Sequence, residues 1–389
     1  MAHMVFRSGE KCRAGSPARK SGNPTKNSPP LETASMVFHS EGKIRAWRSF
    51  ENHCEGGIMS KFILVAGGAG FIGSHLCERL LREGHRVICV DNLCTGSMEN
   101  IRHLMGRETF TFLHEDIRTL SPVFCHEIYN MACIASPIQY AEHPLQTVDT
   151  CYTGVKNLLM MCARFGAKFL QASTSEVYGD PAEHPQKETY FGNVNPYGER
   201  SCYDEGKRVA ETLCYIFRRE HGVSTRIARI FNTYGPRMSP NDGRVIPTFI
   251  HRALAGENIP VFGDGTQTRS LCYINDMLDG LLQLMASDIF CPVNLGNPEE
   301  ITVRGLAERI ISLTRSASGL EFHPLPQDDP TRRRPDITKA KTHLGWSPKI
   351  TLDEGLKKMI AWYGERRGDL PAHLFTSSPV HLTDNTPCT

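Results

Sequence analysis

With 389 residues, 40% of them hydrophobic, the chain can bury a sizeable core, as two domains or as one large domain with a lobe. Lys and Arg number 44 against 42 Asp and Glu, and the formal charge of +2 gives no reason to expect nucleic acid or an anionic membrane as partner, which leaves small molecules. No run approaches the roughly 20 apolar residues of a bilayer span, and the 14 cysteines, without a C-x-x-C pair, read as reduced thiols of a cytoplasmic protein rather than a disulfide framework or a metal site.

Residues 1–58 are rich in Ser, Pro, Lys, Arg and Gly and lack periodicity. They read as a disordered or expression-derived tail, with a transit peptide as the alternative. Phe62–Val65 is then an apolar strand that runs into Ala66-Gly67-Gly68-Ala69-Gly70-Phe71-Ile72-Gly73 and an amphipathic helix over Gly73–Glu83. Strand, glycine turn and helix stand in the order a pyrophosphate site requires, because helix N-terminal amides and missing β-carbons let phosphates approach. The next strand, Arg86–Val90, is followed by Asp91, near the spacing of about 20 residues at which a carboxylate binds ribose hydroxyls. A 2′-phosphate would meet that charge, and Asn92-Leu93 supply no compensating arginine, so the cofactor expected is NAD. Further strands are expected at Thr109–Leu113, Glu127–Met131, Lys168–Ala172 and Thr225–Arg229, with long helices over Leu145–Phe165 and Glu199–His221. Asp116-Ile117, after the third strand, is a candidate for the adenine edge, with an exposed turn Asp as the alternative.

The alternation predicts an α/β fold: a Rossmann-type doubly wound parallel sheet with a smaller C-terminal substrate-binding lobe. Residues 59–235 would mainly form the NAD-binding domain and 236–368 mainly the lobe, with some return to the sheet; 369–389 reads as a loose tail.

Ser173-Thr174-Ser175-Glu176 and Tyr203-x-x-x-Lys207 carry the chemistry. Four residues apart on a helix, Tyr203 and Lys207 share a face, and the ammonium is expected to lower the phenol's pKa until it can act as a base near neutral pH. Tyr152 and Lys156 have the same spacing but lie upstream of the Ser/Thr run, so order along the chain separates the two pairs.

Together, Gly67-x-x-Gly70-x-x-Gly73, Thr174 and Tyr203-x-x-x-Lys207 resemble the extended short-chain dehydrogenase/reductase superfamily over about residues 60–365. Within it, Ala135-Ser136-Pro137, the run from Ser173 to Asp180, the run from Ser201 to Arg208 and the run from Ala228 to Met238 resemble the UDP-glucuronate decarboxylases, carboxy-lyases that make UDP-xylose. The resemblance implies oxidation of the sugar at C4, loss of carbon dioxide from the resulting β-keto acid, and re-reduction at C4. Tyr203 would move the hydroxyl proton, Thr174 hold the C4 oxygen, and Lys207 bind the nicotinamide ribose. Glu176 would be catalytic, or else a hydrogen-bonded structural residue. Its neighbour Ser175 stands where related 4,6-dehydratases carry an acidic residue, which argues against water elimination. The resemblance extends the cofactor set to Asn92, Thr95, Gly96, Ala132 and Thr233. It places Ser136, Tyr140, Asn232, Arg244, Gln267, Arg269 and Arg333 at the UDP-sugar. Asn130 and Asp149 depart from the family pattern, where His and a basic residue are usual. A homodimer built on the helices near 145–165 and 199–221 is also implied. The alternatives are a related epimerase, a 4,6-dehydratase, an oxidative decarboxylase that releases the 4-keto sugar, and an NAD-binding scaffold or sensor.

Overall fold

Each of the six expected strands forms in the computed structural model, which describes residues 60–239, 243–324 and 332–366. The tails expected over 1–58 and 369–389 lie outside the described residues. The strands are β1 (Phe62–Ala66), β2 (Arg86–Asp91), β3 (Phe110–His114), β4 (Glu127–Asn130), β5 (Lys168–Thr174) and β6 (Thr225–Ile230). Their side chains alternate between two cores. Ile63, Val65, Val87 and Cys89 enter one, and Leu64, Ala66, Ile88 and Val90 the other. A strand apolar on both faces needs cover on both, which a parallel sheet with crossover helices supplies.

Helix α1 (Phe71–Arg82) covers the first face through Leu76, Cys77 and Leu80. On the second face lie two helices on either side of β5 in sequence, one over Val155–Phe165 and one over Ser201–His221. Each ends at a left-handed glycine, Gly166 and Gly222, the usual way to close a helix without steric cost. The expected Leu145–Phe165 helix is interrupted. Pro137 and Pro144 start two short helices, α2 (Pro137–Glu142) and α3 (Pro144–Asp149), and the chain winds wider over Thr150–Gly154 before α4 (Val155–Phe165). Ser201–His221 is α5.

After β6 the elements shorten: β7 (Thr233–Tyr234), α6 (Val245–Ala255), β8 (Ile259–Phe262), β9 (Thr268–Ser270), β10 (Cys272–Tyr273) and α7 (Ile274–Ala286). β11 (Val293–Leu295) then returns to pair with β6, and β12 (Glu300–Thr302), α8 (Val303–Thr314), β13 (Leu320–His323) and α9 (Leu352–Glu365) follow. β7 with β10, β8 with β13 and β9 with β12 make three two-stranded pieces. Thr351 and Glu354 form a capping box that sets the start of α9.

The main sheet is seven-stranded, parallel throughout, in the order β11-β6-β5-β4-β1-β2-β3. Its order reverses between β1 and β4, and a ligand crevice is expected outside the carboxyl ends of the strands at such a point.

Candidate active site

A cleft of about 1170 Å³ opens at that point. At its β1 end, Gly67 has φ +72°, and a β-carbon there would stand 2.7 Å from the Ala132 nitrogen. One on Gly73 would stand 2.0 Å from the Gly67 carbonyl oxygen. These two glycines therefore let α1 start tight against the turn. Gly70, by contrast, has only the Gly67 oxygen near its absent β-carbon and leaves the cleft open in front of the helix. Phe71 and Ile72 form the first turn of α1 and line the same wall.

Asp91 ends β2 with its carboxylate accepting from the backbone nitrogens of Ala69 (2.9 Å) and Leu93 (2.8 Å). Burial pushes its carboxyl up, opposed by those amides. Gly96 lies against this carboxylate, where a β-carbon would come within 2.8 Å of Oδ1. Asn92, Thr95, Asp116, Ile117, Ala132 and Thr233 line the cleft with it. The open cradle before α1 and the carboxylate at the end of β2 fit the pyrophosphate and a ribose of a dinucleotide. Asp116 is already engaged: Asn92 Nδ2 donates to it at 2.8 Å, and Arg118 grips it through Nε and Nη2. Arg118 also donates to Asp149 at 3.0 Å, so the acidic residue at 149 answers an arginine beside the cleft. Asn130, the other departure, is fully buried at the end of β4, where it donates to Gln171 and accepts from the Ala132 nitrogen.

At the β5 end, Thr174, Tyr203 and Lys207 converge on the cleft, each less than a tenth exposed. Thr174 is the last residue of β5, and its hydroxyl accepts from the Glu176 nitrogen at 3.2 Å. Tyr203 and Lys207 stand one turn apart on α5, with Lys207 Nζ 5.6 Å from the Tyr203 ring centre and donating to the Ala172 carbonyl at 2.9 Å. The expectation of a phenol near neutrality is not met by the protein alone. Burial pushes the Tyr203 hydroxyl up to about 12, against the lowering effects of Lys207 and of a hydrogen bond with Thr174. Tyr152 and Lys156, the competing pair, are both exposed on the surface.

Tyr140 stacks on Tyr203 with ring centres 5.3 Å apart and planes within 8°. Glu176 lies in a cage: Arg200 donates to its Oε2 at 2.6 Å and Arg333 at 3.0 Å. Burial would raise its pKa, but the two guanidinium groups outweigh burial and hold the carboxylate below its usual value. Arg333 is buried and also donates to the carbonyls of Ser175 and Gly179, each at 2.9 Å, so most of its fork is spent on the turn after β5. Arg200 was not among the sequence candidates. It is a lone arginine before a helix, and nothing in its spacing ties it to Glu176.

Ser136, Asn232, Arg244, Gln267 and Arg269 line the remaining wall. Arg244 donates to the Ala135 carbonyl at 3.3 Å, and Gln267 and Arg269 each donate to a nearby carbonyl. Of the site residues expected from sequence, all but Gly96 face the cleft, and Gly96 backs Asp91.

Residues 64–359 match the family described as GDP-mannose 4,6 dehydratase. The chain is 52% identical over 303 residues to UDP-glucuronic acid decarboxylase 1 of Danio rerio, covering 78% of this chain and 72% of that protein. It is 51% identical over 298 residues to UDP-glucuronic acid decarboxylase 5 of Arabidopsis thaliana, covering 76% and 87%. Among solved structures, it superposes on UDP-glucuronic acid 4-epimerase of Bacillus cereus in complex with UDP-glucuronic acid and NAD, with a TM-score of 0.71 at 26% identity, covering 78% of this chain and 99% of the other. A likeness of this extent to curated decarboxylases, joined to the glycine turn and the Thr174, Tyr203 and Lys207 arrangement, places the chain in the UDP-glucuronic acid decarboxylase family of extended short-chain dehydrogenases/reductases.

Proposed function

We propose that this protein uses NAD to decarboxylate UDP-glucuronate to UDP-xylose, a carboxy-lyase reaction that passes through a UDP-4-keto sugar. The observation that carries the reading is the convergence of Thr174, Tyr203 and Lys207 on a cleft with a dinucleotide cradle at one end and Glu176, caged by Arg200 and Arg333, beside the reacting groups. NAD, held by the glycine turn before α1 and by Asp91, would supply the hydride acceptor and donor for C4 of the sugar. The protein's own groups position and move protons. The Thr174 hydroxyl holds the C4 oxygen, and Tyr203 takes and later returns its proton. Lys207 supplies the positive charge that opposes burial of the phenolate. The new C4 carbonyl lies beta to the carboxylate, so carbon dioxide can leave with its electrons delocalised into an enolate. Glu176, held ionised between its arginines, is suited to polarise groups near C5 rather than to expel water as a neutral acid. Tyr140 and Ser136 would meet the sugar, Asn232, Arg244, Gln267 and Arg269 would hold the nucleotide, and Arg333 would act at the sugar end of the site through Glu176. NAD binding falls mainly to residues 59–235 and nucleotide-sugar binding mainly to 236–368.

Exposed apolar side chains on α3 and the wide turn after it (Leu145, Val148, Tyr152) and on α5 (Val209, Tyr215) support a homodimer formed through these helices. Among the described residues no helix is long and apolar enough to cross a membrane. The eleven free cysteines they contain support a reducing, cytoplasmic setting.

Mass spectrometry of the nucleotide sugar after incubation with UDP-glucuronate, with and without added NAD, tests the reaction. A UDP-pentose without net NADH is expected. A 4-keto pentose with equimolar NADH would replace the reading with an oxidative decarboxylase, and an unchanged sugar would overturn it.

A further inference from the structure

Three thiols stand behind the Tyr203 and Lys207 pair. Cys133, on the loop after β4, is partly exposed and lines the cleft. Cys151, in the wide turn between α3 and α4, is buried, and the two sulfurs lie 3.5 Å apart. Cys151 in turn packs on Gly206, where a β-carbon would stand 3.2 Å from its sulfur, so the pair sits against the turn of α5 that joins Tyr203 to Lys207. Cys202 is the third; its thiol donates to the Tyr140 carbonyl at 3.7 Å.

The charges around the pair are unequal. The hydrogen bond with Cys151, and after it the Lys207 ammonium, hold the Cys133 thiol below its usual pKa, while Cys151 is pushed up. Elsewhere in the core Cys162 and Cys214 are raised, first by burial and then by neighbouring thiols or Glu211. A thiol that lines a cleft and is held below its usual pKa, with a second thiol 3.5 Å away, is the arrangement of an attacking and a resolving cysteine.

We propose that Cys133 and Cys151 are an oxidative modification site, which a peroxide entering the cleft converts to a disulfide that reversibly switches off the enzyme. The Cys133 thiolate attacks one oxygen of hydrogen peroxide, the O–O bond breaks, and the leaving hydroxide takes a proton, giving a sulfenic acid and water. The Cys151 sulfur then attacks the Cys133 sulfur, its proton leaves with the displaced hydroxide as a second water, and the S–S bond forms. Two electrons pass from the two thiols to the peroxide. Closing the sulfurs from 3.5 Å to a bond of about 2.05 Å draws the loop after β4 toward α5 and removes one of the groups that favour a charged Lys207. The disulfide stands on this geometry alone, whereas its effect on turnover rests on the decarboxylase reading of the same cleft.

The test treats the full-length protein with its bound cofactor with a modest excess of hydrogen peroxide near neutral pH. Free thiols, disulfide-linked peptides and conversion of UDP-glucuronate are then followed before and after dithiothreitol. The expected result is a loss of two free thiols, a peptide joining Cys133 to Cys151, and a fall in turnover of at least about tenfold that dithiothreitol reverses. Cys151→Ser should start with ordinary activity and form no such peptide, and Cys94→Ser, at the exposed thiol farther along the cleft, should behave as the wild type. Absence of the linked peptide from oxidised wild-type protein overturns the pair. Its presence with unchanged turnover overturns the switch, as does equally reversible inactivation of Cys151→Ser. The thiol count and the peptide map need no turnover, so they read the pair even where the substrate assignment fails.

Discussion

Burial and charge pull the Tyr203 phenol in opposite directions. The apolar pocket pushes it up to about 12, while Lys207 and the Thr174 hydroxyl pull it down. Tyr203→Phe removes the proposed proton carrier and should lower turnover by about 10²–10⁴-fold with UDP-sugar binding retained. Lys207→Met removes the opposing charge, and the acid limb of the pH profile of kcat/KM should move to higher pH. A limb that stays in place while the rate falls would show that Lys207 acts only by holding the cofactor. Asp204, next in sequence, is shifted the opposite way from Glu176. Its Oδ1 is buried without a hydrogen-bond partner, and burial, then the charge of Glu176, push its carboxyl up to about 7 against Arg200 and Arg333. An acid whose folded pKa exceeds its unfolded one favours the folded state most below the unfolded value, near 4, and loses that contribution as pH rises through 7. Asp204→Asn cannot ionise. Its thermal unfolding midpoint should therefore rise relative to wild type between about pH 5 and pH 8, by the equivalent of about 1–3 kcal/mol. A constant gap across that range would mean that the carboxyl titrates normally.

The start of α1 depends on one missing methyl. A β-carbon on Gly73 would lie 2.0 Å from the Gly67 carbonyl oxygen and 2.8 Å from the Gly68 Cα, backbone atoms that cannot move without opening the turn. Gly73→Ala should cost about 1–3 kcal/mol and strip the cofactor from purified protein, read as the ratio of bound NAD to chain. Gly84→Ala is the comparison: nothing lies within 4 Å of its absent β-carbon, so strain at φ +84° should cost stability and leave the cofactor in place. The glycine turn and the six strands were legible because their apolar runs are continuous and their turn chemistry is local. A return to the sheet was expected from the C-terminal part, but β11 itself could not be placed, since three residues are too few to show a period. The break before α4 was hidden because the segment Thr150–Gly154 stays wound as a helix, only wider, and its sequence carries no helix breaker before Gly154. Gly154 lies against Ile117 there, with a would-be β-carbon 2.6 Å from its side chain, a contact made across 37 residues that no local pattern carries. The same reason explains the site. Thr174, Tyr203 and Lys207 announce themselves by order and spacing, but the two-arginine cage of Glu176 joins residues 24 and 157 positions away.

The proposed dimer would tie these local features together, because α5, which presents exposed apolar side chains, also carries Tyr203 and Lys207. Leu145, Val148 and Tyr152 are 85%, 43% and 47% exposed, and Tyr215 on α5 is 60% exposed, although each is a side chain that ordinarily seeks cover. α5 carries Tyr203 and Lys207 on its inner side, and the turn that bears Tyr152 carries Cys151 and Gly154 on its own. Covering the outer faces by a second copy would therefore brace the site from behind without adding a residue to it. On this argument the wild-type protein should have the mass of two chains by light scattering at micromolar concentration. Leu145→Asp combined with Tyr152→Asp should give the mass of one chain, because two buried carboxylates facing their symmetry mates would each lack a partner. The dissociated protein should unfold at a lower temperature and release NAD more readily, since α5 loses its outer support. A wild-type mass of one chain would refute the dimer. A variant that dissociates yet keeps its cofactor and its unfolding temperature would show that the cleft is braced by packing within a single chain.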